Sequence, residues 1–151
     1  MRKISATYIF PGNQPPLKHG ILTLAYDGTI LELTNTEGRL QEQAGLEQYS
    51  GMLVPGFVNA HSPPELSLPK ERDAVLREMI ILQHRSPGIT MQELVEYACL
   101  NGARALGISN LFGSFEPGKN PGVNLITGVD LRHLRLTPHS RLQVIHSGYQ
   151  P

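Results

Sequence analysis

Strand-like segments at both ends of the chain enclose a helical middle, and this order limits the possible fold more than any other feature. The predicted strands are short and bounded by Gly, Pro or Asn; they are residues 4–10, 20–26, 29–34, 52–54 and 123–127, with weaker candidates at 131–136 and 142–145. Strands followed by helices and then by further strands are typical of an α+β domain, which is the fold class that we predict.

A tight hairpin is predicted where Asp27-Gly28 separates two of these strands. Gly28 has no Cβ, so it can adopt the positive φ that a short β-hairpin turn requires. Residues 20–26 and 29–34 should therefore pair as neighbouring antiparallel strands.

Two helices are predicted in the middle of the chain. The first begins near Ser67 and ends by Ser86, before Pro87. The second begins with a capping box, in which the Thr90 hydroxyl and the Glu93 carboxylate accept hydrogen bonds from free backbone N–H groups. Its end is predicted at Gly107. Its predicted apolar stripe consists of Met91, Leu94, Val95, Ala98, Ala105 and Leu106.

Composition narrows the class of protein. The 151 residues are 40% hydrophobic, which suits one compact domain or two very small ones. Thirteen basic residues balance thirteen acidic ones without a basic run, so nucleic-acid binding is disfavoured. No apolar stretch is long enough for a membrane span or a signal region, so no membrane partner is expected. Cys99 is the only cysteine, which excludes an internal disulfide and favours a cytoplasmic location.

Three segments carry a family resemblance when they are taken in order. Residues 52–61, MLVPGFVNAH, combine a strand with Pro-Gly and Asn-Ala-His. Residues 89–107 place Asn-Gly-Ala and Ala-Leu-Gly on a helix, and residues 113–126, GSFEPGKNPGVNLI, join a turn to a strand. Together they resemble the amidohydrolase superfamily, and most of all its deaminase and chlorohydrolase-like members.

The resemblance implies a composite architecture. In this family the two chain ends form one small β-sandwich beside a (β/α)₈ barrel. Residues 1–60 and 108–151 would then be the two parts of that sandwich, and residues 69–107 would hold two helices retained from the end of the barrel. A barrel takes about 250 residues, yet only residues 62–89 separate His61 from the second helix. Residues 61–68 would therefore be a junction at which the barrel has been deleted, by design or in nature.

The resemblance also implies a metal site in the full-length parent. There, zinc or iron held by histidines and an aspartate would activate water for hydrolysis of a C–N or C–Cl bond in a small-molecule substrate. His61 matches the first ligand, but Pro63 stands where the second is expected and has no ligand atom. We therefore expect His61 to be a vestigial metal ligand, with no bound cofactor and no catalytic residue, and the chain alone to be inactive.

Loss of a barrel would leave helix faces uncovered. These faces contain the apolar residues Val75, Leu76, Met79 and Ile80 of the first helix and Leu94, Val95 and Ala98 of the second. Because large exposed apolar patches are uncommon on monomers, we expect homo-oligomerisation or repacking of the helix pair.

Two other functions stay open. The chain could be a natural non-catalytic module for binding or assembly, or a small metalloenzyme that uses His61, Glu65 and His84. The spacing of His61 and Glu65 indicates little without a regular helix there. His133, His139 and His146 are interpreted as surface or turn histidines.

The remaining reactive residues have simpler interpretations. Cys99 lies beside the apolar stripe, so core packing is favoured over a nucleophilic role, which would need a nearby histidine. The segment 113–122 contains Lys119 but lacks the Gly-Lys-Ser/Thr order of a phosphate-binding loop, so a structural turn is predicted. Gly102 is predicted to let a neighbouring element approach the helix closely.

Overall fold

The computed structural model of the protein describes residues 1–40, 42–58 and 69–149, with the backbone alone at 69–71. Within these ranges the fold is α+β, as predicted. The elements are β1 (Arg2–Ile9), β2 (Leu17–Lys18), β3 (Ile21–Leu24), β4 (Ile30–Thr34), β5 (Leu46–Pro55), α1 (Pro69–Arg85), α2 (Met91–Ala98), α3 (Leu100–Ala105), β6 (Val123–Thr127) and β7 (Arg141–His146).

The strands of both chain ends belong to one mixed sheet. Its order is β4-β3-β1-β5-β6-β7, and β2 pairs with β1 outside this path. β1 and β5 are parallel, whereas the other neighbours are antiparallel. The two ends meet where β5 pairs with β6, with Val54 opposite Asn124. The prediction that both ends build a common β-structure is therefore confirmed at the level of the sheet.

The predicted hairpin connects β3 and β4. Gly28 has a φ of 93°, and its N–H donates to the Ala25 carbonyl at 3.0 Å. The Asp27 carboxylate accepts a hydrogen bond from the Thr29 N–H at 2.9 Å. The hairpin thus forms for the local reason that the sequence indicated.

One face of the sheet packs against the helices. We call this set of side chains the helix-side cluster; it includes Phe10, Met52, Val54, Phe57, Val75, Leu76, Met79, Met91, Leu94, Val95, Ala98, Cys99 and Ile126. The apolar residues predicted to be uncovered are buried here, apart from Ile80, which is half-buried. Self-association stays a prediction, which light scattering over a range of concentrations would test.

A second cluster fills the other face of the sheet. It consists of Ile4, Ala6, Ile9, Leu22, Leu24, Ile30, Leu53, Phe115, Val123 and Leu125. The turn that carries Phe115 is tied to the hairpin, because the Ile30 N–H donates to the Lys119 carbonyl at 2.8 Å and the Gly118 N–H donates to the Ile30 carbonyl at 2.9 Å. The hairpin and this turn therefore lie together over the second cluster.

The prediction of one continuous helix from Thr90 to Gly107 is wrong at Cys99. Cys99 has φ −122° and ψ −74°, which separates α2 from α3. The backbone of Val58 packs against the helix at this point, and the Val58 N–H donates a hydrogen bond to the Ala98 carbonyl. The break changes the phase of the apolar stripe, so Gly102 and Ala103 are buried whereas Ala105 and Leu106 are exposed.

The weak strand predicted at residues 131–136 is a turn instead. Asp130 and Arg135 exchange backbone hydrogen bonds of 2.9 and 3.0 Å across it. The Asp130 carboxylate accepts hydrogen bonds from the backbone N–H groups of Arg132 and His133. Because the aspartate satisfies these groups locally, the segment does not extend into a strand.

No helix within the described ranges is long and apolar enough to cross a membrane.

Candidate functional site

The candidate site is the segment that follows β5 and precedes His61 in the sequence. After Pro55, the Gly56 N–H donates to the Gly122 carbonyl at 3.2 Å, and the Val58 N–H donates to the Ala98 carbonyl at 2.8 Å. Residues 56–58 are thus held between the start of β6 and the break between α2 and α3. His61, Pro63 and Glu65 lie outside the described residues, so the vestigial role of His61 stays a prediction.

Gly102 lets Val58 approach the helices. A Cβ on Gly102 would lie 2.2 Å from the Val58 carbonyl oxygen, far inside van der Waals contact. A backbone group that binds a helix carbonyl interrupts the i to i−4 hydrogen bonding, which is a known cause of kinks. The predicted close approach at Gly102 is confirmed, and its partner is Val58, in the segment that follows β5.

Cys99 lies at the same junction. Its side chain is fully buried, and its thiol donates a weak hydrogen bond to the Pro55 carbonyl at 3.4 Å. Burial raises the pKa of the Cys99 thiol well above its ordinary value. A thiol held in this protonated form is a poor nucleophile, so the prediction of core packing is confirmed.

Both ends of the helical segment are fixed by local hydrogen bonds. The Thr90 N–H donates to the Glu93 carboxylate at 3.0 Å, and the Glu93 N–H donates to the Thr90 hydroxyl at 3.1 Å. Hydrogen bonds from the Thr90 backbone and hydroxyl lower the pKa of Glu93. At the other end, Gly107 has φ 72°, and the Gly107 and Ile108 N–H groups bind the Arg104 and Ala103 carbonyls in a Schellman motif. The predicted start and stop are both confirmed.

The histidines of the described ranges are dispersed. His84 is exposed in the last turn of α1, and His139 lies in an exposed turn. His133 pairs with Asp130 at 2.8 Å and thereby lowers the pKa of that carboxyl. His146 Nδ1 lies 2.7 Å from the Ser147 carbonyl, to which it can donate. Across the part of the chain that the structure describes, no three His, Cys, Asp or Glu side chains are grouped so that they could hold a metal ion.

Lys119 forms its side-chain hydrogen bonds within its own turn. Its ammonium donates to the Ser114 hydroxyl at 2.8 Å and to the Glu116 carboxylate at 3.0 Å. The Ser114 hydroxyl donates to the same carboxylate at 2.6 Å, and these contacts lower the pKa of Glu116. The interpretation of this segment as a structural turn is confirmed.

Comparison with known proteins identifies a family for this segment of sequence. The model of the amidohydrolase family matches residues 66–143, which is more than half of the 151 residues. S-triazine hydrolase from Gordonia rubripertincta is 41% identical over 56 residues, which are 36% of this chain and 11% of that protein.

Solved structures give only a weak likeness. N-acetyl-D-glucosamine-6-phosphate deacetylase from Mycobacterium smegmatis is 17% identical, with 70% of this chain and 31% of that chain covered and a TM-score of 0.32. An adenosine deaminase from Xanthomonas campestris is 22% identical, with 62% and 23% covered and a TM-score of 0.29. The chain spans less than a third of the length of each of these relatives.

Proposed function

The chain belongs to the amidohydrolase family, and we propose that it is the non-catalytic composite domain of a metal-dependent member whose catalytic barrel is absent. The observation that carries the proposal is the β5–β6 pairing, which joins strands from both sides of the junction in one sheet. A (β/α)₈ barrel of about 250 residues does not fit within a chain of 151. We further propose that this sheet corresponds to the family's β-sandwich.

The described residues do not supply the ligands of a catalytic metal. Catalytic zinc usually has three protein ligands and an open position. The described ranges offer no such group, and in the sequence Pro63 stands two residues after His61. We therefore derive no catalytic step for this chain.

The parent enzyme is proposed to hydrolyse a C–N or C–Cl bond on a ring or amide-like substrate, with water activated by zinc or iron. Family membership supports hydrolysis, and the similarity to an S-triazine hydrolase supports a nitrogen-containing ring as substrate. The substrate would be bound by the absent barrel, because the loops of a barrel build its active site.

The source gene distinguishes an engineered deletion from a natural one. If the barrel was removed by design, amplification from genomic DNA across codons 50 to 100 gives a product several hundred base pairs longer than this sequence requires. A product of the same length would contradict an engineered deletion, and a binding or assembly module would then be the better hypothesis.

Zinc binding tests the proposed loss of the metal site. Titration of zinc into the purified chain, followed by calorimetry, should give no stoichiometric tight binding. Binding of one zinc ion that disappears in His61→Ala would contradict the proposal, because it would show that His61 belongs to a complete site.

A further inference from the structure

A surface cavity of about 370 Å³ lies where three segments that are distant in sequence meet. These segments are the end of β1, the loop that leads into α2, and the turn from Asp130 to Arg135. The lining residues that bear on its chemistry are Phe10, Ile89, Met91, His133, Leu134 and Arg135. Its volume falls within the range of small-molecule sites, about 300–1,000 Å³.

The apolar walls of the cavity are preorganised. Phe10 and Met91 belong to the helix-side cluster and are almost fully buried, so they form the floor of the cavity, and its exposed apolar surface comes from the half-buried Ile89 and Leu134. Leu134 is held at φ 52°, a left-handed conformation that a leucine rarely adopts. The paired hydrogen bonds between Asp130 and Arg135 stabilise this conformation. Backbone strain that is maintained by its surroundings is frequent at binding sites.

Arg135 supplies the charge of the cavity. One of its guanidinium nitrogens, Nη1, donates to the Pro87 carbonyl at 3.3 Å, which holds the side chain at the rim. Among the described residues, the other N–H groups of the guanidinium have no protein acceptor. The carboxylates of Asp130 and Glu93 are engaged by His133 and Thr90. The arginine is therefore available to an anionic ligand, and its planar fork suits a carboxylate.

We propose that this cavity binds a small aromatic carboxylate. The ring lies against Ile89 and Leu134, and the carboxylate accepts hydrogen bonds from Arg135. The site uses no residue of the junction, so it is independent of the proposed loss of the barrel and of any metal.

Benzoate is the probe for this site, and amide NMR of the whole chain is the measurement. Saturable shifts centred on Ile89, Met91 and Leu134 are expected. Benzamide, which keeps the ring, and acetate, which keeps the charge, should each bind at least about tenfold more weakly, because each loses one of the two kinds of contact. Benzamide or acetate binding equal to that of benzoate would overturn the proposal, as would the absence of saturable shifts.

Arg135→Gln and Arg132→Gln form a matched pair. Arg132 lies on the same turn but does not line the cavity. Benzoate binding should weaken about tenfold in Arg135→Gln and stay unchanged in Arg132→Gln. Equal affinities in the two variants would overturn the assignment to Arg135. If Arg135→Gln does not fold, the comparison of benzoate with benzamide and acetate on the unmodified chain decides the question alone.

Discussion

At the scale of the residue, Gln83 shows how one side chain fixes a distant turn. It lies on α1 and is buried, and its amide group donates to the Leu136 carbonyl at 2.8 Å and accepts from the Leu136 N–H at 2.9 Å. The side-chain amide thus acts as a peptide group would in a neighbouring strand. Both polar groups of Leu136 are satisfied only while the glutamine is present.

Replacement of Gln83 by alanine should lower the free energy of unfolding by about 2 kcal/mol, because two buried backbone groups lose their partners. Chemical denaturation measures this change. Gln143→Ala, on an exposed position of β7, is the control and should stay within about 0.5 kcal/mol of the unmodified protein. Equal effects of the two substitutions would show that the hydrogen bonds of Gln83 contribute little.

Gly102 gives a second test at this scale. The alanine Cβ in Gly102→Ala would meet the Val58 carbonyl oxygen at 2.2 Å, so either the segment that contains Val58 or the helix must move. We expect a loss of about 2–3 kcal/mol in unfolding free energy. Gly88→Ala is the matched control, since no atom lies within 4 Å of the added Cβ. A tolerated Gly102→Ala would mean that the close approach is not required for folding.

At the scale of the element, the features that depend on neighbouring residues could be predicted from the sequence. The features that depend on contacts between distant residues could not. The hairpin at Asp27-Gly28 and the start and stop of the segment 90–107 follow from neighbouring residues alone. The break at Cys99 depends on Val58, which is far away in sequence, so no helical pattern could indicate it. The contact of Gln83 with Leu136 and the cavity beside the turn also depend on long-range packing, although a glutamine on the apolar side of a predicted helix is a signal that Gln83 has a buried partner.

The capping box should contribute measurably to the stability of α2. Thr90→Ala removes the hydroxyl that accepts the Glu93 N–H, and we expect a loss of about 1 kcal/mol in thermal or chemical unfolding. Thr90→Ser keeps the hydroxyl and should recover most of that loss. A serine variant as unstable as the alanine variant would contradict the assignment of the effect to the cap.

The pairing of β1 with β5 should depend on pH through Arg2 and Glu47. The Arg2 guanidinium binds the Glu47 carboxylate at 2.7 and 2.9 Å, and the Tyr49 hydroxyl donates to it as well. Hydrogen bonds from Arg2, and then from Tyr49, lower the pKa of Glu47 below its ordinary value near 4.5. A lowered pKa in the folded state stabilises the fold above the ordinary pKa, and this contribution is lost as the pH falls through the lowered value.

The expected outcome is a loss of thermal stability on acidification below about pH 5, smaller in Glu47→Gln than in the unmodified protein. Glu32→Gln, on an exposed position of β4, should keep the full dependence on pH. The melting temperature measured from about pH 6 to about pH 3 tests this. If Glu47→Gln keeps the full acid dependence, other carboxylates are responsible.

At the scale of the whole molecule, the account rests on one sheet that is built by strands from both ends of the sequence. The sequence motifs indicated the family, and the match to its model over residues 66–143 confirms it. The topology of the sheet could not be predicted, because strand order is a property of long-range pairing. The candidate metal ligand His61 lies outside the described residues, so its role has to be tested in solution.

Turnover by the purified chain tests the central claim most directly. The chain would be incubated with zinc or iron and with chlorinated and amino-substituted s-triazines and simple amides, beside a His61→Ala variant. The account predicts no release of chloride, ammonia or amine above the buffer rate in either protein. Metal-dependent turnover that is lost in His61→Ala would contradict it, because the chain would then contain a working hydrolase site.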